Sequence, residues 1–190
     1  MTLDEIVTVY IREYRDDASA EMEDYRTEKS RVAAIRRAAL CEFRNGKRHP
    51  HQYRIPRRGL ELAEERLQAA AKELAAARDF DALHEIVKRE IGSDHGIGRL
   101  VVYDIAHRIG AYLGKAPALV YLHRGTKKGA AILGFCGDAL DPKILPAAFR
   151  KLTPAEIEDC LCIYKEELRG GRSNCNAGCG VARRPRRCVK

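Results

Sequence analysis

The sequence predicts an all-α protein: a single helical domain of about eight helices over residues 1–168, followed by a flexible basic tail at 169–190. Three observations lead there. Apolar residues recur at helical spacing through most of the chain. Thr2 with Glu5 and Thr153 with Glu156 form reciprocal capping pairs at two helix starts. No stretch sustains period-two alternation, and the β-prone Val101-Val102-Tyr103 sits inside a longer helical pattern.

In order, Leu3, Ile6, Val7, Tyr10, Ile11 and Tyr14 make the first amphipathic stripe. A second helix is expected from about Ala20 to Arg44, stopped by Asn45-Gly46, which tolerate a left-handed cap. The loop NGKRHPHQYRIPR follows, its two prolines excluding a continuous helix. Leu60, Ala63, Leu67, Ala70 and Leu74 mark an Ala-rich helix, and Asp79 or Asp81 caps a shorter one through Leu83, Ile86 and Val87. Residues 92–134 then carry a Gly-Ile-Gly hairpin, a helix ending at Gly114, a restart at Pro117 and a small-residue helix. Asp141-Pro142 and Thr153-Pro154 give two more helix starts, the second leading a stripe of Ile157, Cys160, Leu161, Tyr164 and Leu168.

The formal net charge of +8 is unevenly placed. Arg169 to Lys190 holds seven Lys/Arg and no Asp/Glu, leaving the body nearly balanced. Within the body, Arg44–Arg58 has six basic residues and no acidic one. Positive charge in such concentrations suits a polyanion better than an evenly basic surface would; solvated loops are the bland alternative. No apolar run reaches the roughly 18–20 residues of a membrane span, and the acidic N-terminus is unlike a secretory signal. A cytoplasmic protein with reduced thiols and no membrane partner is expected.

The Gly-hydrophobic-Gly turn is the most informative motif. Gly96, Ile97 and Gly98 precede a helix whose first amides and positive dipole end can hold a phosphate oxygen, with Arg99 adding charge. Arg124, Lys127 and Lys128 lie further along the stretch, and Lys47, Arg48, Arg57 and Arg58 in or beside the earlier loop offer a second set of contacts. Such contacts read the backbone of DNA rather than base edges, so low sequence specificity is expected.

These residues resemble the helix-hairpin-helix DNA glycosylase superfamily over about residues 92–134. There a hairpin of this kind leads, after one helix, to a segment of the form VPVDTHVxRVAxRLG. Val120 to Gly134, VYLHRGTKKGAAILG, aligns with it without a gap, matching at Val120, Ala130 and Leu133-Gly134. The resemblance implies a two-lobed all-α fold that grips DNA through the hairpin. It also locates departures. The family's catalytic aspartate falls at His123, its imine-forming lysine at Leu100, and a close-packing alanine at Val102. Leucine cannot form that imine, and histidine cannot supply the negative charge that stabilises an oxocarbenium-like transition state. The grip is retained and the chemistry is not, so no catalytic residue is assigned.

His123 is also read as a hydrogen-bonded structural residue. His49 and His51 have metal-ligand spacing but no Cys or carboxylate nearby in sequence to complete a set. Asp104 and Arg108, at i,i+4, are expected to pair. Cys41, Cys136, Cys160 and Cys162 are expected as buried thiols; Cys175, Cys179 and Cys188 in the tail match no iron–sulfur pattern. No cofactor or metal is assigned. Three functions remain: a DNA-binding protein without glycosylase chemistry, a divergent glycosylase or related DNA-processing enzyme, and a helical module with a basic tail that binds an acidic protein.

Overall fold

A computed structural model of the chain describes residues 1–169; the basic tail, with its three cysteines, lies outside the described residues. Regular structure in the described part is helical apart from one pair of two-residue strands and an isolated bridge between Glu42 and Arg48. The helices are α1 (Leu3–Glu13), α2 (Arg15–Arg26), α3 (Arg31–Ala39), α4 (Arg57–Ala69), α5 (Ala71–Ala76), α6 (Phe80–Ile91), α7 (Arg99–Leu113), α8 (Arg124–Ile132) and α9 (Pro154–Ile163). The strands β1 (Val120–Tyr121) and β2 (Ala139–Leu140) pair antiparallel, Val120 opposite Leu140.

Local chemistry explains most boundaries. Thr2 and Thr153 form the expected capping boxes with Glu5 and Glu156, and the Asp79 carboxylate accepts the Ala82 amide at the head of α6. Gly114 ends α7 in the left-handed region at φ 67°.

Five expectations are corrected. The helix expected over 20–44 is two, because Ser30 caps a new start by accepting the Ala33 amide, and α3 already ends before Cys41, which has φ 54°. The Asn45-Gly46 pair therefore turns a loop rather than capping a helix. The Ala-rich helix is interrupted after Ala69. Pro117 does not restart a helix: the chain runs extended through β1, and α8 begins only after His123. Asp141-Pro142 yields a single 3-10 turn, although Asp141 does accept the Lys143 amide.

Two apolar cores result. The first is built from α2 to α7, with Tyr25, Ile35, Leu60, Phe80, Leu83 and Ile105 among its members. The second gathers α1, the strand pair, α8 and α9, with Ile6, Tyr10, Val120, Phe149, Ile157 and Leu161. The chain's first helix thus belongs to the lobe formed by its last. Cys41 and Cys160 are buried as expected, but Cys162 is only half-buried and Cys136 is exposed on the loop after α8.

Helix α8 rests directly on α9 at Gly129, where a β-carbon would stand inside the contact distance of the Leu161 carbonyl. Gly129→Ala is therefore expected to destabilise the protein by about 1–3 kcal/mol, since two backbones would have to separate. A urea unfolding midpoint equal to that of the parent would contradict this packing.

Candidate functional site

The Gly96–Gly98 turn joins α6 to α7. Gly96 takes φ 86°, which a side chain would strain. Ile97 is buried and pins the turn, while its amide donates to the Asp94 carbonyl at 3.0 Å. Arg66 braces the same segment through the Asp94 carboxylate at 2.6 Å. Gly98 is the N-cap of α7 with no side chain to satisfy the helix. Among the described residues, nothing accepts a hydrogen bond from the amides of Gly98, Arg99, Leu100 or Val101. A β-carbon on Gly98 would meet open space.

The structure adds a neighbour that sequence spacing does not show. A β-carbon on Gly96 would lie 3.8 Å from both Ile55 and Pro56. Pro56 is the N-cap of α4, so Arg57 and Arg58 begin their helix beside the turn. Two helix N-termini therefore start next to one another.

The cations are less free than their sequence suggests. Arg99 and Lys127 both bond Asp138, at 2.8 and 2.9 Å, which holds that carboxyl far below the usual range. Arg57 bonds Glu42 at 2.8 Å and lies 3.4 Å from Glu61. Arg58 lies 3.7 and 3.8 Å from Glu61 and Glu65. Arg48 donates to the Ile55 carbonyl at 2.8 Å and helps shape the loop. Among the described residues, Lys47, Arg124 and Lys128 have no carboxylate within 4.0 Å.

Between the two lobes lies a cavity of about 680 Å³, walled by α2 and α7 on one side and α1 and α9 on the other. Asp104, Glu158 and Asp159 face it, with Glu21, Tyr103 and Arg108. Asp104 accepts from the Gln52 amide at 2.5 Å. Asp159 accepts from the Tyr10 hydroxyl at 3.3 Å. Glu158 is buried and hydrogen-bonded to His123, itself buried at the N-cap of α8, whose backbone amide donates to the Thr126 hydroxyl at 2.8 Å. The expected Asp104–Arg108 pair does not form. Arg108 instead reaches Glu21 at 3.3 Å and lies over the Tyr25 ring.

Burial sets the protonation of this site. It pushes the Asp104 carboxyl up to about 6 against the pull of Arg108. It pushes Glu158 up to about 7, offset in part by the His123 bond, and Asp159 moves upward for the same reason. Burial and the Arg108 charge push His107 down to about 4 and His49 to about 3, so both are neutral near pH 7. His49 is bonded to the Tyr25 hydroxyl at 3.2 Å, and His51 is exposed at the cavity mouth; the two do not converge as a metal pair.

A smaller cavity of about 430 Å³ lies between α6, the head of α7 and β1, with Arg99, Val102, Tyr103, Tyr121 and His123 in its wall. Tyr103 is common to both cavities. Val102, where the resemblance expects alanine, is buried and forms part of this second wall. The cavity acids Glu21, Glu158 and Asp159 were not among the residues that sequence reasoning singled out. The available signal was a Glu-Asp pair set between the apolar Ile157 and Cys160.

No family model, curated protein or solved structure matches this chain.

Asp104 offers a test of the cavity's electrostatics. Its folded value of about 6 exceeds the ordinary 3.8, so the folded state keeps a proton that the unfolded chain loses. Stability must then fall as pH rises from about 4 to about 6. Asp104→Asn removes that component. Its urea stability relative to the parent is expected to improve by about 1–3 kcal/mol between pH 4 and pH 7. A difference that stays constant over this range would contradict the buried-acid assignment.

Proposed function

We propose that this chain is a DNA-binding protein of helix-hairpin-helix type, which holds backbone phosphates at the Gly96–Arg99 turn and does not depend on base sequence. One observation carries the reading: unbonded amides at the head of α7 adjoin the basic head of α4, with Gly96 packed against Pro56. Helix dipoles and free amides favour an anion there without recruiting base-specific groups. Arg124, Lys128 and Lys47 add charge that no local acid claims, and a phosphate can compete with Asp138 for Arg99 and Lys127. The seven basic residues of 169–190 supply a further sequence-independent contribution.

A second reading, a DNA-processing enzyme, is favoured by the buried His123–Glu158 pair and the nearby Asp104 carboxyl, where burial leaves two carboxyls able to exchange protons near neutral pH. Base release or strand scission on a panel of damaged duplexes would support it; binding without turnover would leave the first reading.

The binding test uses Gly98→Ala with Arg99→Ala, because a β-carbon fits at Gly98 in the free protein but obstructs a phosphate approaching the amides. Fluorescence anisotropy with duplex, single-stranded and gapped DNA should show at least about a tenfold loss, and a salt slope shallower by about one. Unchanged affinity in a variant with parental helicity and melting temperature would refute the assignment. Gly96→Ala is the poorer probe, since its positive φ confounds binding with folding.

A further inference from the structure

The inter-lobe cavity has a charge imbalance that its own residues do not resolve. Six carboxylates line it (Glu21, Glu23, Asp104, Glu156, Glu158 and Asp159) against two guanidinium groups, Arg26 and Arg108. Both guanidinium groups are engaged, Arg26 with Glu23 and Arg108 with Glu21. Glu156 is taken by Arg15 at 2.6 Å. His49 and His107 are held neutral by burial. Asp104, Asp159 and Glu158 are left facing one space, and Glu158 feels the charge of both others. Among the described residues, the side chain within ion-pair distance of these three is His123, at Glu158.

A second feature is independent of that charge. The Tyr103 hydroxyl and Arg108 Nη1 are buried without a hydrogen-bond partner among the described residues. Tyr103 is 4% exposed and Arg108 5%, and both line the cavity. Burying a donor without an acceptor is costly, and a bound acceptor removes the cost. The wall therefore lacks a cation at its carboxylate side and an acceptor at its Tyr103–Arg108 side.

We infer that this cavity is a binding site for a small organic cation, a guanidinium or primary ammonium held by Asp104 and Asp159, with an uncharged acceptor oxygen taken by the Tyr103 hydroxyl and Arg108 Nη1. A phosphate-bearing ligand is repelled by the same carboxylates. A bare metal ion is not served, since no three His, Cys, Asp or Glu side chains converge as ligands among the described residues. Cation binding favours the ionised carboxylates, so it releases protons and strengthens with pH. The groups facing Asp104 are Arg108 on its own helix, Glu21 on α2, His51 and Gln52 in the loop, and His123 at the head of α8. Those facing Glu158 are His123, Asp159 and Asp104.

The site does not depend on the DNA reading, and its probe carries no phosphate. Nα-acetyl-L-argininamide, which pairs a guanidinium with neutral carbonyls and has no free amine, is titrated into the full chain by calorimetry, with neutral Nα-acetyl-L-citrullinamide as control. Argininamide is expected to bind, to release protons, and to bind at least tenfold more tightly at pH 8 than at pH 5; citrullinamide is not. Asp104→Asn and Asp159→Asn should each weaken binding at least tenfold, and Tyr103→Phe should weaken it several-fold while retaining the pH dependence. Each variant is compared at a matched folded fraction, so that one unfolded variant leaves the others decisive. Equal binding of the two probes, no binding of argininamide to folded parent protein, or parental affinity in both Asp variants would overturn the proposal. So would selective binding of guanosine in place of argininamide.

Discussion

The burial of charge on α7 is the constraint to which the rest of the fold answers. That helix is apolar along most of its length, yet it carries Asp104, His107 and Arg108 into the space between two cores. An isolated charge there would cost several kcal/mol, and neutral or paired states are the usual escape. This protein uses both. Arg108 is stacked toward Tyr25 and bonded to Glu21 of α2, while Asp104 takes the Gln52 amide from a loop remote in sequence. The irregular segment after α3 is thereby tied to the central helix. The first lobe's loop and the second lobe's α9 are shaped around the same polar strip.

Charge on this molecule is sorted by depth. The basic residues that the sequence emphasises lie at the surface, and many are already matched: Arg99 and Lys127 converge on Asp138, and Arg57 and Arg58 on acids of their own neighbourhood. Exposed pairs of this kind are worth about 0–1 kcal/mol, so an incoming phosphate displaces them at small cost. The inter-lobe cavity has the opposite sign. On the DNA-binding reading proposed above, a polyanion would meet the rim of the α6–α7 turn and be repelled from the cavity. The two proposed ligands would then occupy different places.

What was legible in the sequence follows from how local each signal is. Capping boxes, the αL glycine closing α7 and the buried Ile97 between two exposed glycines depend on neighbours within four residues, and the structure has them as read. The break between α2 and α3 was missed because a serine cap competes weakly against a long helical pattern, and Ser30 prevailed only with Tyr25 and Ile35 packed into the core on either side. The expected Asp104–Arg108 pair failed for a similar reason: spacing allows it, but tertiary partners were better placed. The candidate cavity was harder still. Its acids come from α2, α7 and α9, and no sequence interval joins them. The approach of Pro56 to Gly96 is likewise a packing result, set by Ile55 filling the first core beneath the turn.

Helix α7 also connects the two places. Arg99 at its head and Tyr103 one turn later are about 6 Å apart along the axis, and Tyr103 forms part of the wall of both cavities. On the other side of that wall stands His123, which lines the smaller cavity while bonding to Glu158 of the larger. A ligand that changes the protonation of Glu158 necessarily changes the bond that orients His123 at the N-cap of α8, the helix bearing Arg124, Lys127 and Lys128. The link between the two places is short, one buried hydrogen bond between His123 and Glu158. Position 123 thus stands between the acidic cavity and the helix that bears the basic residues, and its buried bond to Glu158 is a structural reason for a histidine there.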